Sequence, residues 1–307
     1  MKPSETAAGG RLHLLVNPRS GGGAGRRLAR RCADWEPLII DPRGLDAQLA
    51  GRVRPGDTVV VAGGDGTASL VVGALFGLGL GEAVRIAVYP IGTGNDLARA
   101  AGCARAGEPR RFLAGLAAGQ GEEREIAVWR FEDHCFTNYL GLGLDARIVA
   151  ATEPARARTP SSVGLRKALL VAAGLRHLGY RIAGELRVET DAGSLDLEGK
   201  SGLVATNLGT IAGGTPIGER DPAAARLAVT VFESGGDFLR LMLSRFGGRR
   251  PALPFTLTRR LHIAGGPVPL EIDGEVVPFR SGAVSLAGRA RFVVPRSPAA
   301  SPQSLRA

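Results

Sequence analysis

Residues 57–67 read DTVVVAGGDGT: a run of strand formers and small apolar residues closes on Gly63-Gly64-Asp65-Gly66-Thr67. A buried strand that delivers three glycines around one acid narrows what such a chain can fold into. Glycine admits positive φ and lets backbone approach a ligand with no side chain in the way. Exposed N–H groups at a turn leading into a helix bind phosphate oxygens. An acid placed there repels phosphate unless a divalent cation lies between them. The pentapeptide therefore fits a Mg2+-nucleotide site; it also fits an ordinary Gly-Asp-Gly turn.

The surrounding pattern gives the turn a setting. Strand-like runs at 12–17, 37–41, 58–62 and 85–89 alternate with helix-like stretches at 25–33, 45–53, 68–76 and 95–101. Such alternation predicts right-handed βαβ units and a mostly parallel sheet, with ligands at the carboxyl ends of the strands. Beyond residue 125 the runs at 125–131, 135–140, 184–190, 202–208, 227–232, 261–264, 268–272, 283–286 and 290–294 carry turn signals and few helices. They predict an antiparallel β-sandwich or barrel, interrupted by helical patterns at 160–181 and 236–246. The expected division is an α/β nucleotide-binding domain over 11–125, a β-sandwich domain on the acceptor side over 126–295, and a disordered tail over 296–307. A length of 307 residues with 44% hydrophobic content accommodates two domains.

Two further glycine-rich turns end neighbouring strands. Asn17-Pro18-Arg19-Ser20-Gly21-Gly22-Gly23-Ala24-Gly25 is a second candidate phosphate cradle, with backbone amides, a serine hydroxyl and a helix start. It lacks the lysine of a P-loop and the third glycine of a dinucleotide fingerprint. Pro90-Ile91-Gly92-Thr93-Gly94-Asn95-Asp96 is the third. There Asn95 or Asp96 reads as a helix N-cap, while Thr93 and Asp96 suit a hydrated metal and a phosphate oxygen. Late in the chain, Glu271-Ile272-Asp273-Gly274-Glu275 carries the Asp-Gly signal of a hairpin. Facing a nucleotide, a carboxylate of that turn is a candidate general base for phosphoryl transfer.

The ordered set NPRSGGG, GGDGT, PIGTGND, FTNYLGLGLDARIV and IDGE resembles the diacylglycerol kinase catalytic family, which includes bacterial lipid kinases and the sphingosine and ceramide kinases. The resemblance implies an α/β plus all-β fold: an N-terminal α/β domain with a mostly parallel sheet, similar to phosphofructokinase and NAD kinase, and a C-terminal antiparallel β-sandwich. ATP and Mg2+ would lie in the cleft between them. Carried onto this sequence, Asn17, Ser20 and Gly21 contact ATP phosphates, and Gly63, Gly64, Asp65, Gly66 and Thr67 form the main nucleotide loop. Thr93 and Asn95 lie on the nucleotide side, Asp65 and Asp96 organise Mg2+, and Glu275 accepts the proton of the lipid hydroxyl. Asn138 and Asp145 fall in a strand segment beside the cleft. The implied reaction transfers the γ-phosphoryl group to a hydroxyl of diacylglycerol or a related lipid. A soluble acceptor such as a polyol or NAD, and a weakly catalytic nucleotide- or membrane-binding regulator, are the alternatives.

The chain departs from the family pattern at four places. Ser69-Leu70 replace the usual Asn-Glu after GGDGT, Asp41 replaces a threonine after the second strand, Glu125 replaces an aspartate, and Asp221-Pro222-Ala223-Ala224 reduces an Asp-Asp-Gly turn at a second metal. Asp41 also suits a ribose hydroxyl.

Composition constrains the partners. Lys+Arg 39 against Asp+Glu 29 gives a formal charge of +10, which suits an anionic membrane surface or phosphorylated ligands. Aromatics at 5%, with no aromatic-basic alternation, argue against nucleic acid. In 160–181, Leu165, Leu169, Ala172 and Leu175 recur at helical spacing beside Arg166, Lys167, Arg176, His177 and Arg181. By periodicity that pattern favours a helix packed on the sandwich, and it also fits an interfacial helix on lipid. Cys32, Cys103 and Cys135 form no CxxC pair, so neither a disulfide framework nor a zinc knuckle is expected. No apolar leader opens the sequence, and the uncharged run at 70–81 is too short to span a bilayer. A cytoplasmic protein with peripheral membrane association is expected, and the pattern allows a homodimer.

Overall fold

The computed structural model describes residues 6–7, 9–92, 94–104, 107–158, 163–211, 213–218, 220–247 and 253–295. Thr93 and the expected tail over 296–307 lie outside the described residues.

Strands β1 (Leu12–Val16), β2 (Leu38–Ile39), β3 (Thr58–Gly63) and β4 (Arg85–Pro90) form a parallel sheet in the order β2-β1-β3-β4. They are joined through α1 (Ala24–Arg31), α2 (Leu45–Leu49) and α3 (Asp65–Gly77); α4 (Asp96–Ala100) and α5 (Pro109–Ala117) follow β4. Both faces are covered, which explains why the strands read as nearly continuous apolar runs. Leu15, Val59, Val61 and Ile86 pack against α2, α3 and α4 on one face. Leu14, Val16, Val60 and Ala62 pack on the other against Leu28 of α1 and Phe112 and Leu116 of α5.

The second half contains β5 (Gly121–Phe131), β6 (His134–Phe136), β7 (Tyr139–Gly143), α6 (Leu144–Arg158), α7 (Val163–His177), β8 (Leu186–Thr190), β9 (Gly193–Asp196), β10 (Gly202–Thr206), β11 (Thr210–Ile211) and β12 (Thr215–Pro216). It continues with β13 (Leu227–Phe232), α8 (Gly235–Gly247), β14 (Thr256–Thr258), β15 (Leu261–Gly265), β16 (Leu270–Ile272), β17 (Glu275–Val277) and β18 (Gly282–Pro295). A six-stranded antiparallel sheet, β14-β13-β10-β7-β16-β17, faces a second layer built from β5, β6, β8, β15 and β18. Trp129, Phe131, Phe136, Leu140, Leu203 and Leu261 fill the space between the layers. The expected α/β plus β-sandwich architecture is present.

Several elements differ from the sequence expectation. The two short strands read at 283–286 and 290–294 are one strand, β18, with a register shift between Leu286 and Gly288. Gly288 sits at φ 154°, a bulge that the sequence pattern presents as a turn. This strand pairs antiparallel with β5 along its length and parallel with β4 through Arg291 and Phe292, so the end of the chain extends the N-terminal sheet. The single strand read at 135–140 is two, β6 and β7. The segment after it is helix α6, which moves Asp145 from the expected strand into the first turn of a helix. Helices α6, α7 and α8 cover the outer face of the six-stranded sheet, where Ile148, Phe232, Phe238 and Leu241 pack together.

Candidate active site

The three glycine-rich turns meet at the carboxyl ends of β1, β3 and β4 and interlock through backbone. Gly64 and Gly92 touch so closely that a Cβ on Gly92 would collide with the Gly64 Cα. A Cβ on Gly21, which is left-handed at φ 56°, would collide with the Ile91 carbonyl. Gly63, Gly64 and Gly66 are absent from the left-handed region, so close approach rather than unusual φ accounts for these glycines. Gly64 is the N-cap of α3 and makes no side-chain cap, while Asp65, Gly66 and Thr67 form the first turn. The free N–H groups of that turn and the helix dipole suit an anion.

The expected site residues divide into those that face this cradle and those that build it. Asn17 donates from Nδ2 to Thr67 Oγ1 at 2.8 Å and accepts the Arg19 N–H at 2.9 Å, tying the first turn to the second. Ser20 opens the short helical turn Ser20–Gly23, half-buried beside Gly21. Asn95 is left-handed (φ 57°) and bonds both ways to Gly92, accepting its N–H at 3.1 Å and donating to its carbonyl at 3.0 Å. Its side chain therefore shapes the loop.

Asp65 accepts the Leu97 N–H on Oδ1 at 2.9 Å, and its Oδ2 lies only 2.5 Å from where a Cβ on Gly94 would stand. Burial pushes its carboxyl above the usual range, the Leu97 N–H opposes that rise, and the Asp96 charge adds to it. A desolvated carboxylate at an anion cradle is a position where a cation fits well. Asp96 differs from expectation. Its Oδ1 accepts Arg99 Nη2 at 2.5 Å, Thr210 Oγ1 at 2.6 Å and Gly214 N–H at 2.9 Å, and its Oδ2 accepts Gly213 N–H at 2.7 Å. Asp96 is thus the anchor of the β11–β12 hairpin.

The late IDGE segment reaches the same place. Asp273 and Gly274 (φ 49° and 85°) form the tight turn from β16 to β17, and Glu275 follows with Oε1 3.6 Å from the Cβ position of Gly66. Asp273 is buried and accepts the N–H groups of Thr137 and Asn138 at 3.0 Å each and of Tyr139 at 2.8 Å. Ser69, from α3, donates its hydroxyl to Asp273 Oδ2. Burial pushes the Asp273 carboxyl up to about 6 against these four donors. Asn138 sits in the connection from β6 to β7 and lends its backbone rather than its amide to this turn.

Further along the same sheet, Glu271 lies opposite Gly141 on β7. Glu271 Oε1 and Asp145 Oδ2 converge on Gly141, 2.9 and 3.2 Å from its Cβ position, and the two carboxyls can bond each other only when one of them is protonated. Burial pushes both carboxyls up, Glu271 well above its usual range with the Asp145 charge adding to the rise. Sequence reasoning missed Thr210, and it placed Ser69, Thr137 and Glu271 in motif segments without giving them these contacts.

Residues 11–130 match the family model of the diacylglycerol kinase catalytic domain. Diacylglycerol kinase 2 of Arabidopsis thaliana is 27% identical over 313 residues, which cover 86% of this chain and 43% of that protein. Diacylglycerol kinase theta of Homo sapiens is 27% identical over 235 residues, covering 64% and 24%. The chain therefore spans less than half the length of these relatives. The solved structure of a diacylglycerol kinase from Bacillus anthracis str. Sterne shares the fold, with a TM-score of 0.64 at 18% identity over 92% of this chain and 96% of that one. The family resemblance read from the motifs holds.

Proposed function

We propose that this chain is an ATP- and Mg2+-dependent phosphotransferase that moves the γ-phosphoryl group to the hydroxyl of diacylglycerol or a related lipid. The observation that carries the reading is the placement of Glu275 Oε1 beside Gly66, in the first turn of the phosphate-cradling helix. In this reading the N–H groups at the start of α3 and the Gly21 and Gly92 turns receive the phosphates. Asn17 holds Thr67 in place, and Asp65 would hold the metal. Mg2+ would supply charge neutralisation on the transferring phosphates. Glu275 would take the proton of the acceptor hydroxyl as the hydroxyl oxygen bonds the γ-phosphorus and the bond from phosphorus to the ADP oxygen breaks. Residues 11–125 form the nucleotide side and 126–295 the acceptor side.

Among the described residues no helix is long and apolar enough to cross a membrane. Helix α7 instead exposes Val171 (62%) and Leu175 (57%) with Arg176 in its last turn, which suits contact with an anionic bilayer from the cytoplasmic side. The side chains of Leu165, Arg166 and Lys167 lie outside the described residues.

The test is transfer of radiolabel from ATP into a mixed lipid extract by the wild type, Asp65→Asn and Glu275→Gln. A positioned base contributes about 10²–10⁴-fold, so Glu275→Gln should lose that much labelling. Equal labelling by all three proteins, or none by the wild type, would overturn the reading.

A further inference from the structure

Ser69 lies on the second turn of α3, directly after the residues of the phosphate cradle, and is buried. Its hydroxyl donates to Asp273 Oδ2 and stands 3.1 Å from Thr137 Oγ1. The other three donors to Asp273 are backbone amides of residues 137–139, in the connection from β6 to β7 and the first residue of β7, which lie in the same half of the chain as the turn itself. Ser69 is the donor that comes from the nucleotide side. The turn it grips joins β16 and β17 by only three residue pairs, and β17 is the edge strand of its sheet. A short edge hairpin is prone to local opening.

We propose that Ser69 is a positioning residue. By holding Asp273 it fixes the β16–β17 turn against α3 and so sets the distance between Glu275 and the phosphate-facing residue Gly66. The inference rests on the phosphotransfer reading for its purpose, and on the Ser69–Asp273 contact for its geometry. One helix presents the cradle on its first turn and grips the base-bearing turn on its second. Helix stiffness therefore transmits the cradle's position to the base. The replacement of the family's Asn-Glu by Ser69-Leu70 keeps a hydrogen-bond donor at the first position, and that donor is in use here; Leu70 packs against the neighbouring core.

A misplaced catalytic group lowers turnover without weakening the binding of the nucleotide it acts on. The experiment compares wild type, Ser69→Ala and Ser69→Thr in lipid phosphorylation kinetics and in hydrogen–deuterium exchange of the segment 270–278. Ser69→Ala should leave KM for ATP within about twofold and lower kcat by about tenfold to a hundredfold. Exchange across 270–278 should quicken in Ser69→Ala, and Ser69→Thr, which keeps the hydroxyl, should restore both readouts. Unchanged exchange in Ser69→Ala would overturn the contact. Faster exchange with undiminished kcat would overturn its role in placing Glu275. A wild type that labels no lipid would overturn the kinase reading itself, while the exchange measurement would still decide whether Ser69 holds the turn.

Discussion

Asp96 separates two roles that look alike in sequence, a metal-organising carboxylate and a structural anchor. Asp96→Asn changes little in volume and removes the charge. With the amide oxygen in the place of Oδ1, the amide nitrogen faces the Gly213 N–H, which Oδ2 meets at 2.7 Å in the wild type. The opposite orientation sets the amide nitrogen against Arg99, Thr210 and Gly214 and is worse. A buried donor left unmet costs about 1–3 kcal/mol. Weakening the bond to Arg99, whose guanidinium side is 36% exposed, adds about 1 kcal/mol after screening. The sum is about 2–4 kcal/mol. An unfolding entropy of about 2.1 cal/mol/K per residue makes 1 kcal/mol worth about 1.5 °C in a chain of 307 residues. Thermal melting should therefore fall by about 3–6 °C in Asp96→Asn. Asp65→Asn should leave melting unchanged or raise it, because burial already disfavours the Asp65 charge. Melting curves of the three proteins with and without Mg2+-ATP provide the assay. If Asp96→Asn melts with the wild type and loses only the Mg2+-dependent stabilisation by ATP, its carboxylate serves the metal and the anchoring argument fails.

Gly92→Ala places a methyl group on the Gly64 Cα, and neither backbone can yield without opening the cradle. It should cost at least about 1–3 kcal/mol and weaken ATP binding measured by calorimetry; unchanged affinity would show that the two turns part freely. The Asp273 carboxyl, at about 6 in the fold against 3.8 ordinarily, binds a proton more tightly in the folded state than in the unfolded chain. Stability should therefore fall as pH rises from 3.8 toward 6, by up to about 3 kcal/mol. Asp273→Asn should lose that share of the slope and keep the part due to Asp65, Asp145 and Glu271, whose carboxyls burial also raises, and parallel melting-versus-pH profiles for the two proteins would contradict it.

The parts of the fold legible in the sequence are those set by local pattern. Leu12, Thr58 and Arg85 begin their strands as the apolar runs predict, since a strand buried on both faces leaves an unbroken signature. Helix α6 escaped because YLGLGL alternates as a strand does and runs into the helix through Gly143 (φ 87°) with no polar cap between. The bulge at Gly288 reads as a turn because glycine marks both. The site was legible as a set of motifs, yet the tasks of its side chains were not. Asn95 and Asp96 are ligand-like by type, but their partners are Gly92 in one case and Thr210, Gly213 and Gly214 in the other. A residue's type fixes what it can bond, and only the fold decides which bonds it makes.

Two sets of polar contacts that join the two halves of the molecule span long stretches of sequence: 114 to 118 residues for Asp96 to the β11–β12 hairpin and 204 for Ser69 to Asp273. Each ends on a buried carboxylate that accepts three or more donors, so each is set by several groups at once and tolerates little displacement. The proposed nucleotide cradle draws on the β1, β3 and β4 turns, which brace one another through Gly21, Gly64 and Gly92. The proposed base comes from the other layer and meets the cradle at the β16–β17 turn. Perturbing the contacts between the halves should therefore alter turnover before it alters ATP affinity, whereas perturbing the glycine turns should alter affinity first.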